Sequence, residues 1–570
     1  MRNLSFGITT LVLGLLVAPP GATARDHKLV PATLGTATTQ SSSGKTPAMD
    51  DFETLNFRGA AACSPCHGLD GSQDNPMSDP PGGPAMYDQW LPSIMAYGSK
   101  DPLWQAKVRS EVLRAPDELR EFIEGKCSTC HTPMATTEAK KAGQPVLLFG
   151  EGFLDSDHPL HSAAMDGISC TLCHRIEDSP ELGTDQGMSG AYTIANVEEP
   201  IDRPHYGRYE DTFDQPMRSS VGLLNTFGRQ ISDPALCATC HNLKTPYLDA
   251  AGNVAGDGFP EQTPFTEWQE SESSKTERST GCQGCHMPHH DEGSLASNPC
   301  WLPKRGRASH AFVSANTEIL TLLAAEEAAA GGDPGALLAS AEAGRELLTH
   351  AGDLEIIGRS FANGLLEFKL LVENSTGHKL PTAFPSRRVF LHVQVVRYSD
   401  GEIVFETGRV TDDGRIVGDD YIDDQGTFEP HHETITTPDQ VQIYEAVLGN
   451  TDKEPTCTLL RASQYLKDNR LTPIGLDPLT APDDVRPVGQ CLLDDDFGDG
   501  ADTIAFSIDE LKEESHTVVI ELRHQAVGWA YVDDLREFQD DPAVARFLDL
   551  YDAVLPGSEL IAETAFEIGG

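Results

Sequence analysis

Hydrophobic and polar residues alternate along the second half of the chain in the manner of β-strands. In "LLEFKLLVEN" (365–374) and "RVFLHVQVVR" (388–397) every second residue is apolar, and "DTIAFSI" and "HTVVIELR" repeat this pattern further on. The dipeptide Asp400-Gly401 predicts a hairpin turn. We therefore expect an antiparallel β-sandwich over residues 353–530 and an α+β fold class for the whole chain.

Helical patterns flank this β-region. Asn316 is a candidate N-cap for "TEILTLLAAEEAAA", and Asp333-Pro334 opens "GALLASAEAGRELLTHAG". These two segments predict a helical connector over residues 313–352. The last stretch, 531–570, is rich in acidic residues and is predicted to be a short helical tail.

The beginning of the chain is typical of an exported protein. Residues 1–24 have a basic start, a short apolar run and a small-residue end, which together predict a cleaved signal peptide. Residues 25–50 are rich in Thr, Ser, Ala and Gly and are predicted to be a flexible leader. No apolar stretch is long enough to predict a transmembrane segment. We expect a periplasmic or extracellular location.

Residues 51–312 carry no clear periodicity, because Gly, Pro and Asp interrupt them throughout. What recurs instead is the pattern CxxCH. Five copies occur, here called the first to fifth motifs: Cys63, Cys66 and His67; Cys127, Cys130 and His131; Cys170, Cys173 and His174; Cys237, Cys240 and His241; Cys282, Cys285 and His286. With 13 Cys and 19 His in 570 residues, roughly 0.01 copies would arise by chance.

The spacing of the motif suits covalent haem. Two thiols three residues apart can each form a thioether with one vinyl group of a haem, and the next histidine then lies under the macrocycle as an iron ligand. Zinc sites have four closed ligands and do not require a histidine after each second cysteine. Disulfides leave the histidines unexplained. We predict five covalently bound haem c groups in a domain over residues 51–312.

The second axial ligand of each iron separates an electron relay from a catalyst, because an empty position can bind substrate. Our candidate ligands are His161, His205, His310, His378 and Met95, the methionine being the alternative that raises the reduction potential. Weaker candidates are His158, His289 and His290, whereas His27 lies in the leader. The remaining histidines are expected to be ordinary residues of the β-region or a helix end: His350, His392, His431, His432, His516 and His524.

The formal net charge is -46, which argues against nucleic acid as a partner and favours cationic partners. The basic segment Lys304, Arg305 and Arg307 is therefore unusual. It is either a partner of haem propionates or an exposed basic loop.

Cys300, Cys457 and Cys491 lie outside the motifs. Export favours oxidation of two of them, and we expect a Cys457–Cys491 disulfide because both belong to the β-region, with Cys300 left over. The Asp-rich "DDDFGDGAD" (494–502) does not fit the register of a calcium-binding EF-hand loop.

The chain resembles multihaem cytochromes c. The phrases that carry the likeness are "SIMAYGSKDPLW", "CSTCHTP", "DGISCTLCHRI", "LCATCHN" and "CQGCHMP". The phrases "NSTGHKLPTAFPSRRVFLHV", "QVQIYE" and "LKDNRLTPIGL" resemble a β-domain often fused to such cytochromes. The resemblance implies c-type haem, mostly bis-histidine coordination and electron transfer. Pentahaem nitrite reductases are less similar, since their catalytic haem typically has a lysine where each motif here has histidine.

Three functions are compatible with these motifs. The first is an exported cytochrome that relays electrons between redox partner proteins of the cell envelope. The second is an oxidoreductase in which one haem keeps an open position for a small nitrogen, sulfur or peroxide substrate, the first motif being the candidate because no histidine lies between His67 and His131. The third is a structural cytochrome that assembles into an oligomer or filament.

Overall fold

The computed structural model describes residues 49–69, 77, 85–276, 281–297, 301–423 and 426–569, with backbone only at 257, 422 and 423. The predicted signal peptide, most of the leader and Cys300 lie outside these residues. The described chain combines helices with sheets, which confirms the mixed α and β class. Within it, no helix is both long enough and apolar enough to cross a bilayer.

The motif-bearing part of the chain consists of short helices and two-stranded ribbons. Its helices are α1 (Ser64–His67), α2 (Met86–Trp90), α3 (Pro102–Arg114), α4 (Arg120–His131), α5 (Pro133–Lys141), α6 (His161–Met165), α7 (Cys170–Cys173), α8 (Asp214–Val221), α9 (Ala235–His241), α10 (Pro264–Glu270), α11 (Glu272–Lys275) and α12 (Gly281–His286). Its strands pair as β1 (Arg203–Gly207) with β2 (Leu223–Phe227), β3 (Leu243–Leu248) with β4 (Val254–Gln262), and β5 (His289–Gly293) with β6 (Arg305–Ala308).

Helix α3 begins where the local sequence allows it. The Asp101 carboxylate accepts hydrogen bonds from the backbone N–H groups of Leu103 and Trp104, at 2.8 and 3.2 Å. Pro102 follows in the first turn, where its missing N–H costs nothing. Helix α3 therefore starts at a fixed point, which places Trp104 against the second motif.

Two longer helices connect the regions: α13 (Thr317–Ala329) and α14 (Gly335–Leu348). Asn316 occupies the N-cap position of α13, but its side chain makes no capping bond there. Its amide oxygen instead accepts a hydrogen bond from Arg387 at 2.8 Å. Helix α13 packs between α3 and the C-terminal helices, and its buried leucines join one apolar cluster with theirs.

The C-terminal region contains two main sheets. Its elements are β7 (Gly352–Ala362), β8 (Leu365–Asn374), β9 (Arg388–Arg397), β10 (Ile403–Thr407), α15 (Asp420–Asp423), β11 (Thr434–Ile435), β12 (Ile443–Tyr444), β13 (Ala446–Gly449), β14 (Gln464–Asp468), β15 (Ala501–Ile508), β16 (His516–Gln525), α16 (Trp529–Arg536), α17 (Pro542–Val554) and β17 (Glu559–Ile568). One sheet has the order β10-β9-β16-β17, with β12 also on β9, and the other has the order β11-β15-β8-β7.

The two sheets share one apolar core. Every second residue of β8, β9, β15 and β16 is buried in a single cluster, for example Phe368, Val393, Phe506 and Ile520. The pairs are antiparallel except β11 with β15, which is parallel. The predicted hairpin is confirmed, since β9 and β10 pair across Gly401, whose φ of +76° favours glycine.

The predicted helical tail is wrong for residues 559–568. After α16 and α17, strand β17 pairs with β16 along its length and buries Ile561, Phe566 and Ile568 in the sheet core. Its acidic residues lie on the outward face, so the composition concealed the strand. The sheets therefore include residues up to 568.

The expected Cys457–Cys491 disulfide is absent, since both cysteines are free thiols. Cys491 is buried, with its thiol directed at the Asp468 and Val488 carbonyls, each 3.7 Å away. The Cys457 carbonyl accepts a hydrogen bond from Lys107 of α3. The two cysteines thus belong to different packing environments of the β-region.

Candidate haem-binding cavity

Each motif occupies the end of a helix. Helices α1, α4, α9 and α12 end at the motif histidine, and α7 ends one residue before it. One helical turn puts the two cysteines, three residues apart, on the same face, and the histidine next to the first of them. The local fold thus presents two thiols and one imidazole together, five times.

All five motifs open into one cavity of about 2370 Å³. Every motif cysteine and histidine lines it, together with apolar residues such as Trp90, Trp104 and Phe265. Pockets for a single small ligand measure about 300–1,000 Å³. The cavity is therefore large enough for several bulky groups, and all five motifs line its wall.

Four motif histidines are oriented by backbone carbonyls. The Nδ1 atoms and their acceptors are His67 with Leu295 at 2.7 Å, His131 with Gly98 at 2.9 Å, His174 with Tyr206 at 2.6 Å, and His286 with Val313 at 2.7 Å. A carbonyl accepts only, so Nδ1 carries the proton and Nε2 presents its lone pair. This arrangement is typical of metal-bound histidines. Burial also lowers the pKa of His131 and His241 to about 4, which keeps both rings neutral.

Two predicted distal histidines face a motif histidine across the cavity. His310 lies 6.3 Å from His174 between ring centres, with 15° between the planes, and His378 lies 6.5 Å from His286, with 12°. Metal–imidazole bonds of about 2 Å on both sides of one metal, with the two ring radii, give about 6 Å between ring centres. The Nδ1 atoms of His310 and His378 also have carbonyl partners, at Ala308 and Lys379. Both pairs fit bis-histidine ligation.

The other distal candidates are placed differently. His205 lines the cavity, but its ring stacks on His174 at only 4.6 Å, which leaves no room for a metal between them. Its Nδ1 atom is buried without a hydrogen-bond partner among the described residues. Met95 also lines the cavity. His161 is outside the cavity lining as far as the structure describes the chain, and its Nδ1 atom bonds to the Phe153 carbonyl at 2.9 Å.

Sequence reasoning missed several residues of the cavity, among them His350, His524 and Arg387. His524 lines it, is only 2 % exposed, and has no hydrogen-bond partner at Nδ1 within the described chain. It continues the inward face of β16 after Ile520 and Leu522, so the alternation could have revealed it. Arg387 lines the cavity as well, and burial lowers the pKa of its guanidinium to about 10, although nearby Asp101 opposes this.

Both arginines of the basic segment line the cavity. Arg305 also forms an ion pair with the exposed Asp211 at 2.5 Å. Arg307 is 4 % exposed, lines the cavity and donates to the Ser294 carbonyl at 2.9 Å. Arg307 and Arg387 thus bring positive charge to the cavity wall, where carboxylate groups of a bound molecule could be neutralised.

The donors present fit haem better than zinc. Within the described chain, His431, Asp494 and Asp502 alone form a group of three or more candidate ligands close enough for one metal ion, and they lie apart from the motifs. No motif gathers the closed ligand set that structural zinc needs. At His431 itself, Nδ1 accepts amide N–H groups from Gln442 and Asn469, which leaves the proton on Nε2 and makes it a poor ligand.

The motif cysteines are free thiols, as thioether attachment requires. Burial is the largest cause that raises the pKa of Cys173 to about 12, and it also raises the pKa of Cys66. The cavity wall therefore combines ten thiols with five imidazoles. This set suits attachment of a planar apolar group with a metal at its centre.

No family model and no curated protein matches this chain. Among solved structures, a penta-heme cytochrome c552 from Thermochromatium tepidum is similar with a TM-score of 0.49 and 14 % sequence identity, over 90 % of this chain and 100 % of that chain. A likeness this distant supports no functional conclusion. The case for this chain therefore depends on its own motifs and on the cavity that they share.

Proposed function

We propose that this chain is an exported pentahaem c-type cytochrome that relays electrons between redox partners of the cell envelope. The observation that carries the proposal is the single cavity lined by all five CxxCH motifs. When bound, haem supplies an iron that gains and loses one electron at a time. The chain supplies attachment, ligands and an enclosed apolar environment.

In this proposal the ten motif cysteines form the thioethers. The proximal ligands are His67, His131, His174, His241 and His286. His310 is the distal ligand at the third motif and His378 at the fifth, because of their ring spacing. His205 lines the cavity and is a predicted ligand as well, but no ring spacing assigns it to a motif. Met95 and His161 remain predicted ligands without an assigned motif.

The chain's own residues also set the electrostatic conditions. Backbone carbonyls hold the proton on Nδ1 of four proximal histidines, so that Nε2 would be free to bind the haem iron. Arg307 and Arg387 would bind the haem propionates. The acidic exterior favours cationic partners, with long-range attraction that weakens in salt. Export, a partner of that kind and assembly into oligomers are parts of the proposal.

A second function is favoured by one further observation. Among the described residues, no imidazole ring faces His131 or His241 at the spacing seen for His174 and His286. The other histidines that contribute to lowering their pKa values, after burial, belong to motifs. Within the described chain no imidazole ring faces His67 at that spacing either, so the first, second and fourth motifs are the candidates for an open haem, which would make the chain an oxidoreductase of a small nitrogen, sulfur or peroxide species.

Optical and EPR spectra of the purified protein, with carbon monoxide added after reduction, separate these functions. The relay predicts low-spin signals from all haems and no spectral shift with the gas. A high-spin signal and a carbon monoxide shift would replace the relay with the oxidoreductase. Spectra without any haem bands would refute both.

A further inference from the structure

Trp104 lies face to face with the histidine of the second motif. Its indole and the His131 imidazole are 4.5 Å apart between ring centres, with 5° between their planes. The two ring pairs that leave room for a metal are separated by 6.3 and 6.5 Å instead. An indole offers an N–H donor and no lone pair for a metal. Trp104 therefore contacts the predicted proximal ligand without being a ligand itself.

Two different parts of the His131 ring are held in place. Its Nδ1 atom bonds to the Gly98 carbonyl at 2.9 Å, which fixes one edge of the ring. The stacked indole of Trp104 covers one face and restricts rotation of the ring plane. The terminal torsion of a histidine side chain has only a broad intrinsic preference, so its neighbours decide how the ring is oriented. For His131, both the edge and the face are held by the segment 98–104.

This segment is itself fixed to helix α3. The backbone N–H of Trp104 belongs to the first turn of α3 and donates to the Asp101 carboxylate at 3.2 Å. Gln105 donates to the Ser99 carbonyl at 2.8 Å, which attaches the turn that contains Gly98 to the same helix. The two contacts of His131 thus come from one element. The indole is buried in an apolar cluster whose other members include Val108, Ala135 and Phe153.

A carbonyl partner is common among the motif histidines, but a stacked ring is not. His174 is stacked as well, by the imidazole of His205 at 4.6 Å with 17° between the planes. Among the described residues, no ring is stacked at such a distance on the remaining motif histidines, His67, His241 and His286. The second motif is therefore distinguished by a stacked ring that has no metal-binding atom.

We infer that Trp104 is a positioning residue of the second motif, because its stacked indole fixes the plane of the His131 imidazole relative to the haem that this motif would hold. This inference rests on the proposed function. The iron would bind Nε2 in the plane of the imidazole, so rotation about that bond changes the direction of the ring over the macrocycle. Contacts that orient a ligand in this way also tune the metal that it binds.

EPR spectra of the oxidised holoprotein test this role with two substitutions of Trp104. Trp104→Leu keeps an apolar side chain but removes the ring, whereas Trp104→Phe keeps a ring that can stack. We expect Trp104→Leu to shift the g values of one haem signal, together with the reduction potential of that haem, and Trp104→Phe to retain the parent values. The signal of the second motif is identified by its absence in Cys127→Ala/Cys130→Ala.

Trp90 provides the matched control. It is a buried tryptophan that also lines the cavity, but its ring is tilted against Tyr87, and its indole N–H donates to the Ile168 carbonyl at 2.9 Å. Trp90→Leu therefore removes an indole of the cavity wall without removing a stack on a motif histidine. We expect it to leave the signal of the second motif at the parent g values.

Three results would contradict the inference and leave the proposed function standing: parent g values in Trp104→Leu, equal shifts in Trp104→Leu and Trp104→Phe, or the same shift in Trp90→Leu. Spectra without any haem signal would refute the proposed function itself. If Trp104→Leu does not fold, a crystal structure of the parent holoprotein decides the question. A parallel contact between Trp104 and His131 supports the positioning role, and an indole that no longer touches this imidazole overturns it.

Discussion

The two halves of the molecule achieve burial in different ways. The β-region closes two sheets over one continuous apolar core in which residues such as Val393, Phe506 and Ile520 have no exposed surface or almost none. The motif-bearing region has only small apolar clusters, arranged around a cavity of about 2370 Å³. Interiors of folded proteins are otherwise close-packed. The comparison indicates that the β-region fills its own core, whereas the motif-bearing region leaves room inside it for bound groups.

A buried ionic network joins the two regions. Asp468 of β14 forms ion pairs with Lys379 at 2.6 Å and Arg470 at 2.8 Å, and Arg470 also pairs with Glu267 of α10 at 3.1 Å. Glu267 further accepts a hydrogen bond from the backbone N–H of Lys379. This network holds the loop that carries His378 against the cavity. The β-region can therefore supply a ligand to the other half.

The largest effect is expected when the sites of haem attachment are removed. Replacing all ten motif cysteines by alanine should leave the cavity unfilled, so that the motif-bearing region loses its slow amide hydrogen exchange while β8, β9, β15 and β16 keep theirs. The control is Cys457→Ala/Cys491→Ala, which removes two thiols outside the motifs. Equal loss of protection in both regions would remove the distinction between them.

A substitution in the β-core should destabilise the β-region and leave the motif-bearing region unchanged. Phe506 is 1 % exposed and stacks on Phe368 with 4.5 Å between ring centres. Phe506→Ala should lower the free energy of unfolding of the β-region by about 3–5 kcal/mol, through lost burial and a new cavity. Denaturant unfolding followed by circular dichroism measures this, and haem absorbance before unfolding should be unchanged. A shift in that absorbance would mean that the packing of the β-core and the haem environment depend on each other.

The network between the regions predicts a smaller, pH-dependent effect. Burial would raise the pKa of Asp468, but the Arg470 and Lys379 cations outweigh it and lower the pKa to about 2. The ionised form thus stabilises the fold above the unfolded value near 4, and this contribution, about 2–3 kcal/mol, is lost as the pH falls from about 4 to about 2. Acid unfolding of the parent protein and Asp468→Asn measures it. A variant with the same acid dependence as the parent protein would contradict this assignment.

The smallest expected change affects one iron. His378→Ala should convert a single haem from low to high spin in the EPR spectrum, because the fifth motif loses its distal imidazole. The matched control is His392→Ala on β9, whose ring bonds to Glu406 and Glu521 on the surface of the sheet and not to the cavity. Identical spectra for both variants would remove His378 from the ligand set.

The sequence predicted the features that depend on short-range pattern. The motifs, the alternation in β8 and β9 and the Asp400-Gly401 turn are all local. The tail strand was missed because its glutamates lie on the solvent side, and a two-residue period can be masked by composition. The environments of the Cys457 and Cys491 thiols depend on long-range packing, which spacing along the chain does not encode.

The distal histidines could be predicted from the sequence only in part. The predicted ligand His161 is outside the cavity lining within the described chain, whereas His310 and His378 reach the cavity from distant elements. His524 was assigned to the β-region and does belong to β16, yet it faces the motifs. A residue can thus belong to a sheet and also line a neighbouring site. In the sequence, its position among the inward-facing residues of the strand indicates this.

Mass spectrometry of the denatured mature protein tests the central claim most directly, because thioether-bound haem remains attached after unfolding and acid extraction. The account predicts a mass that exceeds that of the polypeptide by five haems. A mass equal to that of the bare polypeptide, with all pigment removed by acidified acetone, would contradict it.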